Sequence, residues 1–131
     1  MNNQFLNVKI MIKTALIVDD DENNIFALSE ALSAFSINSV TATNGEECIA
    51  ALKINPDINL VFMDIHMPVM DGYTAIKLIR SMETCKNIPI IALTASAMLG
   101  DKEKCMEAGA TDYSSKPIDI KNLIKVLEKY K

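Results

Sequence analysis

Residues 60–64 read Leu-Val-Phe-Met-Asp, and Ile65-His66-Met67-Pro68 follow. Four apolar residues run without a break into one carboxylate. A run of that length, bounded by turn signals, describes a strand covered on both faces of a sheet. An unpaired charge inside such a strand is costly, so Asp64 belongs at the point where the strand leaves the core. In open parallel sheets the carboxyl ends of the strands are where ligand-binding groups collect. The rest of the chain must therefore cover both faces of this strand and provide partners for Asp64.

The flanking pattern meets both demands. Thr14–Val18 predicts a second buried strand. Ile25, Leu28, Ala31, Leu32 and Phe35 recur at helical spacing, which predicts a helix over 22–35. Asp21 or Glu22 serves as its cap. Asn38–Ala42 is a short, more polar strand suited to a sheet edge. Asn44 caps a helix from Gly45 that turns Cys48, Ile49 and Leu52 inward and stops at Asn55-Pro56. Beyond Asp64, a turn at Met70-Asp71-Gly72 leads to a helix from about Thr74 to Met82, burying Ala75, Ile76, Leu78 and Ile79. A buried strand spans 88–94 and a helix 98–108, stopped by Gly109. A short strand over Asp112–Ser115 precedes a last helix, Asp119 to about Tyr130, with Ile120, Leu123, Ile124 and Leu127 inward. Strands alternating with helices predict an α/β fold: one doubly wound parallel sheet of five strands with helices on both faces. Residues 1–12 have no clear pattern and read as a lead-in or linker to a domain over 13–131.

Composition narrows the function. Half of the 131 residues are hydrophobic, which suits a single domain with a real core and argues against disorder. The net charge is −4 without a basic cluster, so direct nucleic-acid binding is not expected. The 3 cysteines have no CxxC spacing and read as reduced thiols of a cytoplasmic protein. No apolar stretch approaches the roughly 20 residues of a membrane helix, and the N-terminus lacks a signal-peptide layout.

Each strand also delivers a polar group. The first delivers Asp19 and Asp20, the third Asp64, the fourth Thr94 with Ala95 and Ser96 behind it, the fifth Lys116 before Pro117. Parallel strands end on one rim, so three carboxylates, a hydroxyl and an ammonium converge. Clustered carboxylates repel unless they share a cation or a proton. Two or three of them with room for water suit Mg²⁺. His66, the only histidine, reads as a loop residue, since no second imidazole or thiolate stands at ligand spacing. The 8 methionines read as core and loop fillers.

At this point the chain resembles the receiver domain of two-component response regulators, the CheY-like, flavodoxin-like fold. The resemblance covers residues 13–131. It rests on Leu-Ile-Val-Asp-Asp-Asp-Glu-Asn-Asn, Phe-Met-Asp-Ile-His-Met-Pro-Val-Met-Asp-Gly, Ala-Leu-Thr-Ala and Asp-Tyr-Ser-Ser-Lys-Pro-Ile, in that order. It implies the sheet order 2-1-3-4-5 and Asp64 as phosphoacceptor. It implies Mg²⁺ on Asp20, Asp64 and the backbone carbonyl of His66, with Asp19 acting through a metal-bound water. Thr94 and Lys116 would hold phosphoryl oxygens, Tyr113 would be the aromatic switch, and Lys116-Pro117 the peptide that is usually cis. The donor would be a phosphohistidine on a histidine kinase or phosphotransfer protein. The chain would then act as a phosphorelay switch with slow autodephosphorylation and not as a turnover enzyme. Its altered surface would be that of the fourth helix, fifth strand and fifth helix, where a homodimer on activation is one outcome. The motif wording is similar to receivers of hybrid kinases more than to stand-alone regulators, and no DNA-binding or enzymatic output is expected within the chain.

A phosphatase, a cofactor binder and a degenerate receiver are the rival readings of this rim. A phosphatase of the haloacid dehalogenase type also uses a strand-end Asp, Mg²⁺, Thr and Lys. It needs a second acid two residues after the nucleophile, where this chain has His66. A flavodoxin-like cofactor binder needs a hydroxyl- and glycine-rich loop after the first strand, where acids stand here. A degenerate receiver would lack one of the core residues.

Overall fold

The computed structural model describes residues 11–67, 70–95 and 99–130, Leu99 by its backbone alone. Pro68, Ser96, Met98 and residues 1–10 of the expected lead-in lie outside the described residues. Five strands and five α-helices alternate: β1 (Thr14–Val18), α1 (Glu22–Ser33), β2 (Asn38–Ala42), α2 (Gly45–Ile54), β3 (Leu60–Asp64), α3 (Gly72–Ser81), β4 (Ile90–Thr94), α4 (Leu99–Ala108), β5 (Asp112–Ser115) and α5 (Ile120–Lys129). The sheet is parallel in the order β2-β1-β3-β4-β5. This is the doubly wound arrangement, with the more polar β2 at an edge.

The sheet divides the core in two because successive strand side chains point to opposite faces. Val61 and Met63 of β3 join Leu16, Val18, Cys48, Ile76 and Ile79 on one side. Leu60 and Phe62 join Ile17, Leu28, Leu32, Leu123 and Leu127 on the other. Every residue of β1, β3 and β4 is buried. Full burial of one such apolar side chain contributes about 1.5–3 kcal/mol, so the uninterrupted runs favour the centre of the sheet strongly. Ile12, ahead of β1, is also buried in the second cluster.

Helix starts follow local chemistry. Asp21, Asn44, Asp71 and Asp119 each accept a hydrogen bond from a backbone N–H of the first turn. Each thereby satisfies one of the donors a helix start leaves open. Gly109 ends α4 at φ +115°, a conformation that favours glycine.

Two inward assignments are corrected. Leu78 and Ile120 are each 41 % exposed. Leu78 follows Ala75 and Ile76 on α3, but the buried stripe continues through Ile79, which leaves Leu78 at its margin. Ile120 opens α5 and precedes the buried face of Leu123, Val126 and Leu127. The strand expected over 88–94 is shorter, since Ile88 and Pro89 precede the ladder and a 3₁₀ turn at Glu83–Cys85 occupies the approach.

Candidate functional site

β1 and β3 are neighbours at the centre of the sheet, so the residues that follow or end them lie side by side. Asp19 and Asp64 are both 2 % exposed, whereas Asp20 is open to solvent. Carboxylate oxygens of Asp19, Asp20 and Asp64 all lie within 4.8 Å of one another.

Lys116 closes this group from the other side. Its Nζ stands 3.1 Å from Asp19 Oδ2 and 3.3 Å from Asp64 Oδ1. The Lys116 N–H donates to the Thr94 carbonyl at 2.8 Å, which carries the chain over the end of β4. The Lys116–Pro117 peptide is cis. Thr94 is fully buried at the end of β4. Asp19 Oδ1 accepts from the Asp21 N–H at 2.9 Å. Asp64 Oδ1 accepts from the His66 N–H at 3.2 Å, while the His66 residue itself is exposed. Asp64 Oδ2 is buried and, among the described residues, has no hydrogen-bond partner.

Electrostatics follow from this packing. Burial, and then the Asp19 carboxylate beside it, push the Asp64 carboxyl up to about 6. The Lys116 ammonium and the His66 N–H oppose that rise without cancelling it. Burial alone would lower the Lys116 ammonium, but hydrogen bonding and attraction from Asp19 and Asp64 hold it above its ordinary value. One ammonium thus serves two buried carboxylates, and the cluster retains an excess of negative charge.

A hard dication fits these donors. They are oxygen ligands, one is buried without a partner, and the exposed Asp20 leaves a path for metal-bound water. Tyr113 lies apart from the carboxylates, on β5, half-buried against the first core cluster. The Lys102 Nζ of α4 stands 5.4 Å from the centre of its ring. Sequence reasoning passed over Lys102, because a lysine in a charged helix carries no signal of what it covers. Arg80 was missed for the same reason. It donates to the Gly109 carbonyl at 2.8 Å, the Cys85 carbonyl at 3.0 Å and Thr111 Oγ1 at 3.1 Å.

The fold is thus a five-stranded, doubly wound α/β domain with acids at the carboxyl rim of its sheet and a lysine bridging two of them. The comparisons make this specific: residues 15–128 match the response regulator receiver domain, and the chain belongs to that family. Hybrid signal transduction histidine kinase G of Dictyostelium discoideum is 44 % identical over 118 residues, which cover 88 % of the chain. The chain matches only 3 % of that kinase's length. The polar-differentiation response regulator DivK of Brucella ovis is 33 % identical, covering 92 % of the chain and 97 % of DivK. Among solved structures, a receiver domain of a sensor histidine kinase from Pseudomonas aeruginosa PAO1, with magnesium coordinated in its active-site cleft, superposes with a TM-score of 0.83 at 31 % identity, covering 91 % of the chain and 97 % of that domain. The receiver domain of a Saccharomyces cerevisiae response regulator, in complex with its histidine phosphotransfer protein, superposes at 0.85 and 31 % identity, covering 93 % of the chain and 90 % of that domain. Among the described residues no helix is long and apolar enough to cross a membrane.

Proposed function

We propose that the chain accepts a phosphoryl group on Asp64 from a phosphohistidine and relays it as a change of surface. The observation that carries this reading is the Lys116 ammonium held between Asp19 and Asp64 while Asp64 Oδ2 has no hydrogen-bond partner among the described residues. That geometry keeps one carboxylate oxygen free beside a fixed positive charge. Asp19, Asp20, Asp64 and the His66 carbonyl are the groups that would hold Mg²⁺. When bound, the ion offsets the repulsion between the carboxylates and an incoming anionic phosphoryl group.

The residues of the chain do the rest. Asp64 forms the oxygen–phosphorus bond as the phosphorus–nitrogen bond to the donor imidazole breaks, and that nitrogen leaves with the electron pair and takes up a proton. Lys116 draws the phosphoryl oxygens toward the site and stabilises charge as it spreads over them. Thr94, at the end of β4, supplies a hydroxyl to the same group. Phosphorylation adds roughly −1.5 to −2 charge and three acceptor oxygens, by analogy with hydroxyl phosphoesters. Thr94 moves toward them, Tyr113 turns inward, and the α4–β5–α5 face changes. Hydrolysis of the aspartyl phosphate resets the domain, so the chain is a switch and not a turnover enzyme.

A histidine kinase or a phosphotransfer protein is the partner this chemistry requires. The yeast receiver solved with its phosphotransfer protein, and the magnesium in the Pseudomonas cleft, support the partner and the ion. Gel filtration with and without beryllofluoride reads whether the switched face pairs two chains. Three buried free thiols suit the reducing cytoplasm, the compartment we assign. The deciding experiment is labelling by acetyl phosphate with Mg²⁺: wild type takes up acid-labile phosphate and Asp64→Asn takes up none. Equal labelling of the two would overturn the reading.

A further inference from the structure

Tyr113 and Asp112 are neighbours on β5, and each is covered from a different helix. Lys102 of α4 places its ammonium 5.4 Å from the centre of the Tyr113 ring. On the other flank Lys129 Nζ stands 3.1 Å from Asp112 Oδ2, and the Tyr130 hydroxyl donates to the same oxygen at 3.3 Å. The Tyr113 N–H donates to Asp112 Oδ1 at 2.9 Å, which ties the two residues together. The backbone beneath Tyr113 is therefore fixed from the α5 side. The ring itself packs partly buried against the first core cluster, and a cation from α4 rests over it.

We propose that Lys102 is a positioning residue that holds the Tyr113 ring in its resting rotamer and so sets how readily the domain switches. The proposal rests on the reading of Tyr113 as the moving aromatic group. A cation over an aromatic face attracts it through the ring quadrupole, and the contact is lost if the ring turns away. A contact made in one rotamer only must bias the equilibrium toward it. At an exposed site the bias is about two- to fivefold in the rotamer ratio. Because coupling is reciprocal, whatever favours the turned ring must bind less tightly while Lys102 is present.

Two measurements on the full chain test this. The first is the χ1 rotamer population of Tyr113, from three-bond NMR couplings in the unphosphorylated, metal-free protein. Lys102→Gln, which removes the charge and keeps a polar side chain, is expected to lower the ratio of resting to alternative rotamer two- to fivefold. Lys102→Arg is expected to restore it. An unchanged population in Lys102→Gln, or a loss equal in Lys102→Arg, overturns the proposal.

The second is the beryllofluoride concentration, at fixed Mg²⁺, that half-converts the domain. It is expected to fall two- to fivefold in Lys102→Gln. The difference should persist in a Tyr113→Phe background, which keeps the ring, and vanish in Tyr113→Ala. A difference that survives in Tyr113→Ala overturns the proposal. If Tyr113 of the wild type ignores beryllofluoride altogether, the switch reading of Tyr113 fails, while the rotamer measurement still decides the role of Lys102.

Discussion

The Lys116 ammonium lies 3.3 Å from Asp64 Oδ1, although β4 separates the strands that deliver the two residues. The same ammonium meets Asp19 at 3.1 Å, so a single cation offsets two buried anions. Removing one partner of a buried ion pair leaves an uncompensated charge and costs more than the pair contributes. Lys116→Met is expected to destabilise the metal-free protein by about 3 kcal/mol, read from urea unfolding. Phosphate uptake from acetyl phosphate is expected to slow at least about a hundredfold. A variant as stable as wild type would show that solvent, and not Lys116, compensates Asp19 and Asp64.

The raised Asp64 carboxyl makes stability depend on pH in a definite direction. In the folded, metal-free state it titrates near 6, whereas the ordinary value is 3.8. Below about 6 the folded state takes up a proton that the unfolded chain does not yet hold, so this group adds stability as pH falls from 7.5 to 5. The gain is complete only once pH is below the ordinary value. Asp64→Asn is expected to remove this component and to be more stable than wild type at pH 7.5 without metal. Urea midpoints of both proteins at several pH values check the sign. A wild-type midpoint that falls on acidification by more than that of Asp64→Asn would contradict it. Protons would compete with Mg²⁺ bound as proposed to these oxygens, so Mg²⁺ affinity is expected to weaken through the same range.

Gly72 sets how closely α3 approaches the strand that carries Asp64. A Cβ built there would meet the Asp64 carbonyl oxygen at 2.5 Å and Ile65 Cα at 2.6 Å, both backbone atoms that cannot swing aside. The Gly72 N–H donates to the Ile65 carbonyl at 2.8 Å, which locks the approach. Gly72→Ala is expected to cost about 1–3 kcal/mol by overpacking, measured by thermal unfolding. Half-saturation by Mg²⁺ is expected to rise as well, because the end of β3 must shift. Full stability in the variant would mean that the turn has slack.

Arg80 joins α3 to the exit of α4. Its three donors reach Gly109, Cys85 and Thr111, and Thr111 Oγ1 also accepts from the Ile90 N–H at 2.9 Å. Arg80→Ala is expected to cost about 2–3 kcal/mol through lost charge-assisted hydrogen bonds. Hydrogen exchange is expected to quicken most at the end of α4 and around residues 109–111. Uniform quickening across the whole domain would instead mean that Arg80 supports global stability only.

Much of this architecture was legible because burial and local chemistry agree. The unbroken run of Leu60–Met63 suits the centre of a parallel sheet, and Asp21 and Asn44 cap the helices they precede. The convergence of Asp19, Asp20, Asp64 and Lys116 followed from strand direction alone. Other features depend on tertiary surroundings. Leu78 and Ile120 satisfy helical spacing yet lie at the margin of their stripes, where a shift of one position decides exposure. Ser36 leaves α1 at φ 61°, a conformation that composition would assign to glycine. The partners of Arg80 include backbone carbonyls, which every residue possesses and no pattern can flag. Which of the two buried acids carries the unpaired oxygen is a matter of ångströms, and only coordinates distinguish Asp64 from Asp19.

β5 is four residues long, with Asp112 and Tyr113 at one end and Lys116 one residue past the other. It lies at the border of the sheet and pairs with β4 along its whole length. Only the short ladder of β5 lies between Tyr113 and Lys116. If the rim is phosphorylated as proposed, any backbone adjustment at Lys116 has only Ser115 and Ser114 to cross before it reaches Tyr113 and then Asp112.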